Sequence, residues 1–181
     1  HILAGAEIPN EENVETPESL ANDVAYTYEF AGWSSQKPSS GNYHVISKGD
    51  TAFAVNTDWV VRNDITYYAV YRSAIKNYRI AFSYTDSTGA KVTKTEDIPY
   101  GSIIVTPDYV NRTYATGGYG FNLEGWTYRD SKNEATELKV NDSLVFDKTK
   151  IYITEENLAD DDGVKPIYFT ADYDEGEPMP Y

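Results

Sequence analysis

Cysteine is absent from the 181-residue sequence, and there are only two histidines and one methionine. With no thiols there can be no disulfide framework, no thiolate zinc site and no cysteine nucleophile. The longest apolar runs are only a few residues, far short of the ~20 that span a bilayer as a helix. Positive charge is also scarce. Fifteen Lys+Arg stand against 29 Asp+Glu, a formal net charge of −14. A chain so balanced lacks the clustered cations that hold phosphates, which argues against nucleic acid and against an anionic membrane surface as partner. There is no Gly-x-Ser-x-Gly elbow, phosphate-binding loop or dinucleotide fingerprint either.

What the chain does have is 17 Tyr, 6 Phe and 3 Trp, with many Thr and Val. Aromatic and β-branched side chains suit pleated, half-buried surfaces, so the composition predicts a mainly β fold. Large and small residues alternate through Tyr26–Trp33, Asp64–Tyr71 and Tyr78–Tyr84, which is the period of strands with one buried face. Asp86-Ser87-Thr88-Gly89 supplies turn chemistry, and Lys91–Glu96 returns as the hairpin partner. Shorter strands are expected at 43–46, 51–55, 102–105, 144–146, 150–153 and 166–173. Glu155–Gly163 reads as an acidic loop. The one short-helix candidate is Pro17–Ala21, with Thr16 as N-cap and Pro17 at the first helical position.

Three landmarks recur in order. Ala4-Gly5 through Pro9 echoes Tyr100-Gly101 through Pro107. Tyr28-Glu29-Phe30-Ala31-Gly32-Trp33 echoes Phe121-Asn122-Leu123-Glu124-Gly125-Trp126, and Tyr67–Tyr71 echoes Phe169–Tyr173. Gly32 follows Gly5 by 27 residues, and Gly125 follows Gly101 by 24. Recurrence in register points to a duplicated unit. A glycine before tryptophan lets the backbone bulge or approach closely so that the indole can fold over the sheet, and an alanine in the closing strand leaves room for a ring.

These landmarks resemble the Listeria–Bacteroides repeat, the B-repeat type of internalin-like surface proteins. The resemblance implies a β-grasp-like fold of α+β kind, with one short helix per repeat and two small repeats in tandem. The first repeat, 1–73, lacks its opening hairpin; the second is 74–174; residues 175–181 are a tail or linker. It further implies a non-catalytic extracellular structural or adhesive module of a bacterial cell-surface or secreted protein, acting as spacer or protein-contacting repeat. The expected partner is a protein or glycan on a cell surface. A sheet without its first strands would expose an edge open to strand exchange with another copy.

Two other functions are compatible with the same residues. One is a carbohydrate-binding module using exposed aromatics, for which Trp59, outside the repeat pattern, and Tyr114 and Tyr119, beside a glycine-rich turn, are the candidate contacts. The other is a phage fibre or capsid decoration domain. No cofactor is expected apart from a possible Ca2+ at Asp160, Asp161 and Asp162. Placing Asp160 and Asp162 at the third and fifth positions of a calcium loop puts Leu158 at the first and Phe169 at the twelfth. Neither can ligate, so this is not an EF-hand. His1 with His44 has the nitrogen ligands of a copper brace, yet nothing around His44 resembles the enzymes that use one, and a non-enzymatic role is expected.

Overall fold

The computed structural model describes residues 17–50, 66–107, 112–113, 119–160 and 163–178. The fold is mainly β. Two compact units divide the chain, His1–Ile75 and Lys76–Tyr181.

The first unit holds a three-stranded sheet of β1 (Tyr26–Ser34), β2 (Tyr43–Ser47) and β3 (Tyr68–Ile75), in the order β1-β3-β2. β3 is antiparallel to β1 and parallel to β2. The third strand starts at Tyr68, later than the predicted Asp64, and the strand expected at 51–55 lies outside the described residues. Pro17–Ala21 is not a helix. Five residues cannot offset the cost of helix nucleation, and the Glu18 carbonyl instead accepts a 2.7 Å hydrogen bond from the hydroxyl of Tyr71. Among the described residues the short helix expected in each repeat is not found. The closing strand β3 is paired on both sides, so it presents no open edge.

The second unit is built on a five-stranded sheet of β4 (Asn77–Thr85), β5 (Lys91–Pro99), β9 (Leu123–Arg129), β10 (Ala135–Lys139) and β12 (Ile167–Tyr173), in the order β10-β9-β12-β4-β5. β12 runs parallel to β4 and antiparallel to β9. A two-stranded ribbon, β6 (Ile103–Val105) with β11 (Ser143–Val145), contributes buried Ile104 and is followed directly by buried Phe146. A third small sheet joins β7 (Arg112–Thr113), β8 (Tyr119–Phe121) and β13 (Glu177–Pro178). Part of the segment read as a tail is thus a paired strand. Lys150–Ile153 forms only an isolated bridge, Asp130 with Ile151. The acidic loop contains a 3-10 turn at Glu155–Asn157. There the Asn157 side chain accepts the Thr154 N–H at 2.7 Å and donates to the Lys165 carbonyl at 2.8 Å.

Aromatic rings make the centre of this unit. Trp126, Tyr78, Phe146 and Phe169 are all fully buried. Phe82 stands edge-on to the indole of Trp126 at 5.2 Å, and Tyr128 stacks on Phe169 at 5.2 Å. The closing strand leaves space for this, because Trp126 lies directly opposite Ala171. Gly125 is required for a different reason. A Cβ there would sit 2.9 Å from the Leu138 carbonyl oxygen of the neighbouring strand.

Both main hairpins of the second unit close with the same turn. Asp86 Oδ1 accepts the N–H of Thr88 and of Ala90; Asp130 Oδ1 accepts those of Lys132 and Glu134. The fourth residue is left-handed in each case, Gly89 at φ 84° and Asn133 at φ 64°.

Two predictions follow from this packing and this turn chemistry. Trp126→Ala should lose about 3–5 kcal/mol, the usual cost of emptying an aromatic core site, and Gly125→Ala about 1–3 kcal/mol from overpacking, both measured by chemical denaturation. The Thr88 hydroxyl, then the Thr88 N–H, holds the Asp86 carboxyl below its ordinary pKa; the Glu134 N–H, then that of Lys132, does so for Asp130. A depressed folded value means that this stabilisation is complete above the unfolded carboxylate pKa of about 4 and is lost as pH falls through the folded values. Melting temperature should decline on acidification below about pH 4. Asp86→Asn with Asp130→Asn, which keeps the acceptor oxygen, should flatten that decline.

Candidate functional site

Six of the described aromatic side chains of the first unit's strands gather on one face of its sheet, while Tyr68 lies on the other, edge-on to His44. Tyr26, Tyr28 and Phe30 point the same way by the two-residue period of β1. Trp33 joins them because the register shifts between Phe30 and Gly32, leaving Ala31 as an extra residue. Gly32 has φ 132°, a conformation that suits glycine. From β3 and β2 the same face receives Tyr71, opposite Phe30 and Val45, and Ala69, opposite Trp33 and Tyr43. The small alanine leaves room for the two rings beside it.

The rings touch in sequence. Phe30 stands edge-on to Trp33 at 5.5 Å and to Tyr71 at 5.9 Å, and Tyr43 meets Tyr71 at 5.7 Å and 88°. Tyr71 is buried, whereas Tyr28, Phe30 and Trp33 are half-buried and Tyr26 and Tyr43 are exposed. Two tyrosine hydroxyls meet acidic residues here. Tyr28 donates to Asp23 Oδ2 at 3.2 Å, and Tyr71 bonds the Glu18 main chain as described above. Burial first, then Asp23, pushes the Tyr28 phenol above its ordinary pKa; burial, Tyr43 and Glu18 do the same for Tyr71. The opposite face of the sheet carries buried Val70, Ile46 and His44.

Trp59, Tyr114, Asp161, Asp162 and His1 lie outside the described residues. Tyr119 opens β8, where it pairs with Pro178. Asp160 is exposed, and its charge acts on Arg79. Glu156 of the same acidic loop is ion-paired with Lys165 at 2.9 Å. Among the described residues there is no group of three or more His, Asp or Glu side chains placed to hold a metal. His44 is a buried core residue whose Nε2 donates to the Gln36 carbonyl at 2.8 Å. Sequence reasoning passed over Tyr26, Tyr28, Tyr43 and Tyr71 as contacts. The signal was present in the alternation of β1 and β3, but which face of the strands stays open depends on the packing of the whole unit.

The described surface also carries two clefts. One of about 650 Å³ in the second unit has Phe82 as its floor, with Lys94, Glu96, Pro107 and Asp142 around it. The other, about 420 Å³ in the first unit, lies between Glu29, Lys48, Asp50 and Arg72. Comparison with family models, with curated proteins and with solved structures finds no match.

Removing the Tyr71 hydroxyl tests how firmly the 17–25 segment is tied to the aromatic face. Tyr71→Phe should cost about 1 kcal/mol, one net hydrogen bond, in denaturant unfolding. A raised phenol pKa stabilises the fold below about pH 10, the unfolded value, and that contribution fades as pH rises through the folded value. In a titration of tyrosinate absorbance, the variant should therefore lose one late-ionising step.

Proposed function

We propose that this chain is a pair of β-grasp-like repeats forming a non-catalytic structural or adhesive module of a bacterial cell-surface or secreted protein. It serves as a spacer or protein-contacting repeat, as the resemblance to the Listeria–Bacteroides repeat implies.

The observation that carries this reading is a shared strand register. In the first unit Trp33 faces Ala69, Gly32 faces Val70, and Ala31 is the extra residue before them. In the second unit Trp126 faces Ala171, Gly125 faces Asp172, and Glu124 is the extra residue. A Gly-Trp pair, a bulge immediately before it and an alanine opposite the indole thus recur together at the positions that the sequence landmarks align. The closing strand of each unit also has a parallel neighbour on its other side, β2 beside β3 and β4 beside β12. A β-grasp-like unit is further supported by the order of the second sheet, in which an opening hairpin and a second hairpin flank the closing strand. The neighbours differ in origin. β4 precedes the Gly-Trp strand in sequence, whereas β2 follows it and occupies the place left by the missing opening hairpin.

If the units are repeats, each should lose its own core independently of the other. Gly32→Val should lower amide-exchange protection in β1–β3 and leave β4, β9 and β12 protected; Gly125→Val should do the reverse. A single transition that erases protection in both units from either variant overturns the tandem-repeat reading. Location is tested on intact cells of the producing organism, where protease added outside should degrade the chain without lysis. Protection until lysis overturns the surface assignment.

A further inference from the structure

Both units expose large apolar side chains, but those of the first unit share one sheet face. Among its described residues these are Tyr26, Tyr43, Val45 and Ile75, each between 39% and 51% exposed. Their strand partners place all four on the aromatic face: Tyr26 lies beside Ile75, Val45 beside Tyr71, and Tyr43 beside Ala69. Half-buried Tyr28, Phe30 and Trp33 lie between them. A contiguous apolar patch of this kind, bordered by polar groups, is the usual mark of an interaction surface.

The electrostatics select among partners. Residues 1–75 hold ten Asp+Glu and four Lys+Arg, a net charge of −6 within the −14 of the whole chain. Acidic groups stand beside the rings themselves, with the Asp23 carboxylate on the Tyr28 hydroxyl and Glu18 close enough to act on Tyr71. Exposed tyrosine faces attract ammonium and guanidinium groups through the ring quadrupole, and the net negative charge of the chain favours their approach.

We propose that the Tyr26–Tyr43 face of the first unit is a docking surface for an extended, lysine- or arginine-bearing segment of a partner protein. Such a segment lays aliphatic stems along Val45 and Ile75 and sets its cationic ends against the tyrosine rings, within reach of Asp23 and Glu18. This deepens the protein-contacting part of the function proposed above and rests on it for the class of partner.

The test uses the full chain and two peptides, one alternating lysine with valine and the other alternating glutamate with valine. Binding is followed by anisotropy of a labelled peptide and by Trp33 side-chain shifts. The lysine peptide should bind, weaken severalfold on adding salt, and lose at least tenfold in affinity in a Tyr26→Ala/Tyr43→Ala double variant. Both residues are exposed, and amide-exchange protection of β1–β3 checks that the variant is folded. Tyr168→Ala, an exposed tyrosine of the second unit, should leave affinity unchanged. Equal binding of both peptides, undiminished binding by the double variant, or binding of a neutral oligosaccharide in place of either peptide would each overturn the proposal. None of these outcomes bears on whether the two units unfold separately, so the repeat reading stands or falls by its own experiment.

Discussion

An indole set opposite an alanine is the contact around which the second unit is arranged. Trp126 is wholly buried, and Ala171 is the residue across from it on the closing strand. A larger residue at 171 would compete with the ring for one volume. Phe82 completes the site by meeting the indole edge-on from β4, on the far side of β12. Three strands distant in sequence are therefore joined through one side chain. The indole N–H has no hydrogen-bond partner among the described residues, and an orphan donor of this kind costs about 1–3 kcal/mol. The ring contacts around Trp126 must outweigh that loss, which makes shape complementarity here more consequential than polar pairing.

The first unit uses the same contact with a different balance. Trp33 has an alanine opposite it and a bulge before it, but it is half-buried where Trp126 is sealed. The two glycines before these tryptophans also answer different needs, since Gly32 adopts a left-handed-region φ and Gly125 yields space to the Leu138 carbonyl. An identical dipeptide thus meets a backbone constraint in one unit and a packing constraint in the other. The proposed docking surface follows from this difference, because the rings that one unit encloses are partly available in the other.

Much of the strand layout was legible in sequence because a buried face imposes a two-residue period. Tyr26–Trp33 and Tyr78–Tyr84 both show it and both are strands. The hairpin after Thr85 was equally readable, since an aspartate followed by a left-handed glycine is local chemistry. Pro17–Ala21 misled because favourable capping residues cannot make up for a segment too short to propagate, and a tertiary hydrogen bond from Tyr71 took its carbonyl instead. The pairing of Glu177–Pro178 with β8 was hidden for a related reason: two residues carry no period, and only a distant partner makes them a strand. The site was less legible than the fold. Solitary residues such as Trp59 drew notice by their rarity, whereas the aromatic face is made by residues that each look like ordinary core positions. Register alone reveals that they share a side.

The position of β12 has one further consequence. It is the central strand of the second sheet, yet Ile167–Tyr173 lies near the end of the sequence. The β4–β5 and β9–β10 hairpins are each closed by a local aspartate turn and can form as soon as they leave the ribosome, but they have no contact with one another through the sheet until the last strand arrives between them. Throughout synthesis the inner edges of β4 and β9 stay unpaired, which is the period of greatest exposure to misassociation. Truncation before Ile167 would leave the chain permanently in that state, as two hairpins with no keystone.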